Sequence, residues 1–286
     1  MPTGGKLSSM MIIFNTWNAM VGCGTVTIPW AFQQSGILVG VLLTALACIL
    51  AFSTNYLILL VAGKDTNFSD TMHRYFPRFG WALSMTCFIV NFYVGIILFF
   101  QVLSQSLYPI ILFVMGLDVE IEMKTDWSQF SLSYSCLILL GIVLLMVLPR
   151  NTSYIQKVNA FGVVFICIFL GFIAFTGIRQ MTITDYVYSE AAFKEAQSSA
   201  TEESSYTAWI PLVNSQFTPL MGILGGGYYF HNMSLSMLHN AENPEHNVRN
   251  IALGFFLVFL TYSLIGVLGV YGFTGHSFAA FEPSVK

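Results

Sequence analysis

Seven apolar stretches, at roughly 10–33, 36–62, 80–115, 131–149, 154–178, 211–237 and 249–275, take up most of this 286-residue chain. A helix needs about 20 predominantly apolar residues to cross the hydrocarbon core of a bilayer, and each stretch meets or approaches that length. A soluble fold is excluded. Only 9% of the residues are charged, against about 25% in soluble domains, too few to cover a chain that is 56% apolar. The reading is an all-α polytopic membrane protein in contact with membrane lipid. Soluble enzymes and disordered chains fall away. So does a nucleic-acid partner, because eleven Lys and Arg against fourteen Asp and Glu leave a net charge of −3 rather than a basic excess. The third stretch is too long for an upright helix and implies a strong tilt or an extension past the bilayer.

Loop charges set the orientation. With the N-terminus in the cytoplasm, the inner segments hold Lys6, Lys64, Arg74, Arg78, Arg150, Lys157 and Arg249, seven basic residues against four outside (Lys124, Arg179, Lys194 and Lys286). That bias favours the N-terminus inside, and seven spans then place the C-terminus outside or in a lumen. Three Asn-x-Ser/Thr sequons, at Asn67, Asn151 and Asn232, fall on the inner side or within a span, so none is expected to be glycosylated. The cysteines at 23, 48, 87, 136 and 167 all lie in apolar stretches without a Cys-x-x-Cys spacing, which reads as small buried hydrophobes.

Two spans are interrupted. The first reads Asn18-Ala19-Met20-Val21-Gly22-Cys23-Gly24-Thr25-Val26-Thr27-Ile28-Pro29-Trp30, with two glycines and a proline within eight residues. The sixth reads Gly222-Ile223-Leu224-Gly225-Gly226-Gly227-Tyr228-Tyr229-Phe230-His231-Asn232. Glycine weakens a helix through backbone entropy and proline through a missing N–H. Broken backbone survives at membrane depth only where it is buried in protein or lines a polar cavity. Helices one and six are equivalent positions if the fold is two inverted repeats of five helices. A matched pair of interruptions points to a transporter binding site. Unwinding is expected near Gly225–Gly227. The alternative is a packing role, since Gly222 and Gly226 form a Gly-x-x-x-Gly pair.

At these residues the sequence resembles the amino acid/auxin permease family, and within it the sodium-coupled neutral amino acid transporters, including a lysosomal branch that handles arginine. The likeness rests on Trp17-Asn18-Ala19-Met20-Val21-Gly22, Ile28-Pro29-Trp30 and Gln34-Ser35-Gly36 at one end. At the other it rests on Phe230-His231-Asn232, Asn247-Val248-Arg249-Asn250 and Leu260-Thr261-Tyr262-Ser263-Leu264-Ile265-Gly266-Val267-Leu268. The resemblance implies a LeuT-like five-plus-five inverted-repeat core with alternating access. It implies an α-amino acid substrate at the unwound part of helix one, on Asn18, Ala19, Met20, Val21, Gly22, Cys23, Gly24 and Thr25. N–H groups there can take the substrate carboxylate, and carbonyls its ammonium. Gly226, Tyr229 and His231 join this set from the sixth span.

The resemblance further implies Na+ as coupling ion, no other cofactor, and a lysosomal or vacuolar membrane in preference to the plasma membrane. Such transporters have eleven spans, so residues 1–286 are expected to be an incomplete transporter domain, truncated after helix seven. The sodium site, shared with helix eight, is not legible here. Cys23 stands where the lysosomal member carries a hydroxyl residue, so arginine preference does not carry over. That member signals to a growth-control complex through a long tail, and only about nine residues precede the first span here.

Other polar residues have bland and functional readings. His231, ionisable in mid-membrane, is a functional candidate, with an ordinary pKa near 6.5 suited to sensing an acidic compartment; otherwise it is a neutral histidine bonded to another helix. Asn91, Gln101 and Gln105 either line the pathway or join helices. His239, Glu242, Glu245 and His246 have metal-like spacing, but a solvated loop is the simpler reading. The leading function is secondary active amino acid transport, with an amino acid sensor or a seven-helix receptor as alternatives. The charge bias and the absence of Asp-Arg-Tyr and Asn-Pro-x-x-Tyr oppose the receptor. An enzyme is not expected, because there is no in-span carboxylate pair and no His-Glu-x-x-His. A topology reporter fused at Lys64 or Arg150 should report cytoplasm and one near Glu202 the opposite side; reversed signals overturn the orientation.

Overall fold

The computed structural model describes residues 7–63, 67–117, 130–148, 162–189, 207–239 and 241–273. The chain divides into two compact units, one of Met1–Thr71 with Ala160–Lys286 and one of Met72–Asn159. Helix α4 (Phe68–Tyr75) falls at the division.

The first apolar stretch folds as helix α1 (Ser9–Met20), a 3-10 segment (Cys23–Thr27) and helix α2 (Ile28–Ser35). The two halves bend by 59° across the break. Ser8 starts α1 as an extended N-cap whose side chain accepts from the Met11 amide. Pro29 sits in the first turn of α2, where its missing N–H costs nothing. Gly36 then turns the chain at φ 86°, and a Cβ there would lie 2.7 Å from the Leu212 backbone, so only glycine fits. Helix α3 (Ile37–Ala62) follows. In the same unit, α7 (Gly162–Met181) leads to two three-residue strands, β1 (Asp185–Val187) and β2 (Thr207–Trp209), paired in parallel. This short ribbon departs from a purely helical fold. The sixth stretch forms two short helices, α8 (Thr218–Gly227) and α9 (His231–Leu238), and the seventh forms α10 (Asn247–Phe273).

Helix α10 is the axis of this unit, touching α1, α2, α3 and α7. Glycines let it approach so closely. A Cβ at Gly254 would lie 2.5 Å from the Thr16 side chain, one at Gly266 2.5 Å from the Phe32 ring and one at Gly269 2.5 Å from Pro29. Between helices in lipid, where burial gives no hydrophobic gain, close packing of this kind supplies the attraction.

The first and sixth stretches run antiparallel and are tied at both ends. At one end the Ile37 and Leu38 amides donate to the Pro211 and Leu212 carbonyls, each at 3.0 Å, and the Asn214 amide to Ser35 at 2.9 Å. At the other, Leu7 bridges Ala241, and the Glu242 amide donates to the Leu7 carbonyl at 2.9 Å.

In the second unit, α5 (Phe79–Met115) packs on α6 (Leu132–Val147), with Tyr108 stacked on Phe130 at 5.9 Å. At 1.5 Å per residue, the 37 residues of α5 extend about 55 Å, well beyond a bilayer core. This matches the length expected of the third stretch.

Among the described residues, four helices are long and apolar enough to cross a membrane, and the bent α1–α2 pair makes a fifth. The fourth and sixth stretches do not reach that length as single helices, α6 because it has only 16 residues and the sixth because it is broken. Residues 149–161, which hold the short connection expected between helices four and five, lie outside the described residues, as do 190–206 of the long outer loop. The chain is an integral membrane protein. Gly266→Ala should destabilise it by about 1–3 kcal/mol through overpacking against Phe32. Gly141→Ala, whose Cβ meets nothing within 4 Å, should be neutral or stabilising by up to about 1 kcal/mol. Thermal unfolding in detergent separates the two.

Candidate functional site

The break in the first stretch frees carbonyls that a continuous helix would satisfy. Val21 still donates to the Trp17 carbonyl at 3.0 Å, and Gly22 is then extended at φ −119°, ψ −162°. Side-chain hydroxyls take over from there. The Gly22 carbonyl accepts from the Thr25 hydroxyl at 2.7 Å and the Thr25 amide at 3.1 Å, and the Gly24 carbonyl from the Thr27 hydroxyl at 2.8 Å. The Met20 carbonyl accepts from the Tyr262 hydroxyl, on α10, at 2.7 Å.

The second break lies three residues later than expected. Helix α8 continues through Gly225, Gly226 and Gly227, and the interruption is Tyr228–Phe230. The Tyr228 amide reaches the Leu224 carbonyl at 2.9 Å, so the ladder stays closed across the glycines. A glycine costs about 1 kcal/mol in a helix relative to alanine, less than an unpaired amide in an apolar medium. The triple glycine is therefore the last turn of α8 rather than the unwound segment.

The two breaks meet on one side chain. The Tyr262 hydroxyl that donates to Met20 lies 3.3 Å from the Gly227 carbonyl as well. Gly227 makes room, since a Cβ there would lie 2.7 Å from that hydroxyl. One residue earlier, Thr261 accepts from the Trp17 indole N–H at 2.9 Å and donates to the Leu257 carbonyl at 2.8 Å. Gly24 faces Ile223 of α8, a Cβ there standing 3.6 Å from its methyl.

The candidate residues distribute as follows. Met20 and Thr25 are buried at the first break, with Val21, Gly22 and Gly24 half-buried and Ala19 exposed. Asn18 lies against the start of α7, where a Cβ on Gly162 would meet its carboxamide at 2.5 Å. The Cys23 side chain lies outside what is described. A Cβ at Gly222 or Gly226 would meet no described atom of this unit within 4 Å, so the glycine pair is not a packing face within it.

Tyr229 and His231 turn instead toward α3. They line a groove of about 270 Å³ with Leu46, Leu50 and Thr54. The Thr54 hydroxyl donates to the Leu50 carbonyl at 2.9 Å and lies 2.7 Å from His231 Nε2. The Asn232 amide donates to the Tyr229 hydroxyl. Among the described residues, no group of three His, Cys, Asp or Glu comes together, and His246 stands 4.0 Å from its neighbour Glu245 on an exposed loop.

Tyr262, Thr261 and Thr54 carry the polar contacts of this region but are absent from the candidate set. A lone tyrosine in an apolar run has no spacing signature; the one available hint was the adjacent Thr261-Tyr262 pair inside a span.

The fold defines an integral membrane protein with a broken first span, and comparison gives the family. Residues 5–276 match the family described as transmembrane amino acid transporter protein, and the chain belongs to it. It is similar to neutral amino acid transporter 9 of Rattus norvegicus, 23% identical over 92% of this chain and 53% of the relative. The same protein of Xenopus tropicalis is 24% identical over the same shares. The sodium-coupled neutral amino acid transporter 9 homolog of Caenorhabditis elegans is 23% identical over 92% of this chain and 50% of the relative. The chain thus spans about half the length of the curated relatives it matches. Thr25→Val should leave the Gly22 carbonyl with the amide alone and cost about 0.5–1.5 kcal/mol, read as a lowered melting temperature without loss of membrane insertion.

Proposed function

We propose that the chain is the transporter domain of a secondary active carrier that moves an α-amino acid across a membrane. The substrate is held where the interrupted first and sixth spans meet. The observation that carries this reading is the convergence of the Met20 and Gly227 carbonyls on Tyr262. It brings two helix ends, with their backbone acceptors, to one point. Membership of an amino acid transporter family supports the substrate class.

On this reading the helices belong to a LeuT-like inverted-repeat fold, in which broken spans at equivalent positions form the site. The 3-10 segment after the first break offers N–H groups to the carboxylate, and the carbonyls at the two helix ends take the ammonium. Sodium is the coupling ion proposed, supported by the name of the Caenorhabditis elegans relative. A lysosomal or vacuolar membrane is the proposed location, on the resemblance to the lysosomal branch.

Reconstitution tests it. Proteoliposomes should take up radiolabelled L-amino acid, faster with an inward sodium gradient. Cys23→Trp, at the first residue after the break, should reduce uptake at least about tenfold with insertion intact, because an indole beside the unwound segment fills the substrate's volume. Normal flux in that variant places the substrate elsewhere. Binding without flux favours the sensor reading.

A further inference from the structure

We infer that Tyr262 is a positioning residue whose hydroxyl bonds the same two carbonyls that a substrate ammonium takes on binding. The inference rests on the proposed function and adds to it a built-in competitor.

A phenol hydroxyl has one proton. At 2.7 Å from Met20 and 3.3 Å from Gly227, it donates chiefly to the first carbonyl and leaves the second weakly served. The oxygen has little freedom to move. The residue is buried, and its ring stands edge-on to Tyr228 at 5.4 Å. An ammonium brings three donors and a full charge, so it can serve both carbonyls at once with charge-assisted bonds. It must first displace the hydroxyl's hydrogen bond. Tyr262 therefore keeps both helix ends aimed at one point, and its hydrogen bond competes with the ammonium for them.

Removing the hydroxyl while keeping the ring should relieve the competition. In Tyr262→Phe the carbonyls are poorly satisfied when the site is empty and well satisfied when it is filled. Affinity should rise about three- to tenfold, the change that one neutral hydrogen bond corresponds to. The melting temperature of the empty protein should fall, and the upward shift produced by substrate should grow. A merely structural tyrosine gives the opposite pairing, with stability and affinity lost together.

The test is equilibrium binding of tritiated L-leucine, L-glutamine and L-arginine to the protein in lipid nanodiscs, alongside melting curves with and without each probe. Tighter binding in Tyr262→Phe supports the inference. Equal or weaker binding by a correctly inserted variant overturns it while leaving the proposed function standing. If the unaltered protein binds no probe, the proposed function fails and the inference with it. Should Tyr262→Phe not fold, Gly227→Ala serves, since its Cβ would lie 2.7 Å from the hydroxyl and push it off the second carbonyl. A gain smaller than in Tyr262→Phe is expected there, since the stronger bond to Met20 remains, and its absence counts against the inference.

Discussion

A backbone carbonyl inside a bilayer must find a donor, and interrupting a membrane helix creates carbonyls that have lost theirs. The first unit answers this at two breaks with one hydroxyl. Tyr262 reaches Met20 at the end of α1 and Gly227 at the end of α8. Because the same oxygen serves both, neither helix end can shift far without disturbing the other. The local hydroxyls of Thr25 and Thr27 close the carbonyls that Tyr262 does not reach.

That arrangement depends on how near α10 can come. With any larger residue at 254, 266 or 269, Thr16, Phe32 or Pro29 would have to retreat. The side-chain bond from Trp17 to Thr261 holds the last turn of α1 at the same level. The pairings at Leu7–Ala241 and Ser35–Asn214 hold its far ends. Packing, backbone pairing and one tyrosine thus restrain the first and sixth spans at three heights. The backbone acceptors at the two breaks are positioned by residues that lie outside the breaks.

Much of this was legible in the sequence. Five of the seven apolar stretches coincide with helices, or a bent helix pair, long enough to cross a membrane, and the Gly22–Gly24–Pro29 cluster located the first break, because those residue types weaken a helix whatever surrounds them. The part played by Tyr262 was not legible. Its importance comes from a contact 242 positions along the chain, and no local pattern encodes that reach. The site residues also separated in a way that adjacency in sequence concealed. His231 lies four residues past Gly227, yet it turns to Thr54 on α3 while Gly227 faces Tyr262 on α10.

The second break shows why glycine content alone misplaces an interruption. Tyr228 and Phe230 both pack on the single ring of Phe255, with centroids 6.3 Å away in each case, one parallel and one edge-on. In a continuous helix, residues two apart project about 200° from each other and cannot share one partner on one side. Both rings are buried here, so the gain from placing two large aromatics against α10 is set against a few backbone hydrogen bonds, and the helix gives way where the aromatics are. The glycines before it have no side chains to place and stay helical. The interruption therefore follows from tertiary demand on Tyr228 and Phe230, with Gly227 needed only so that the carbonyl at the helix end can meet the hydroxyl of Tyr262.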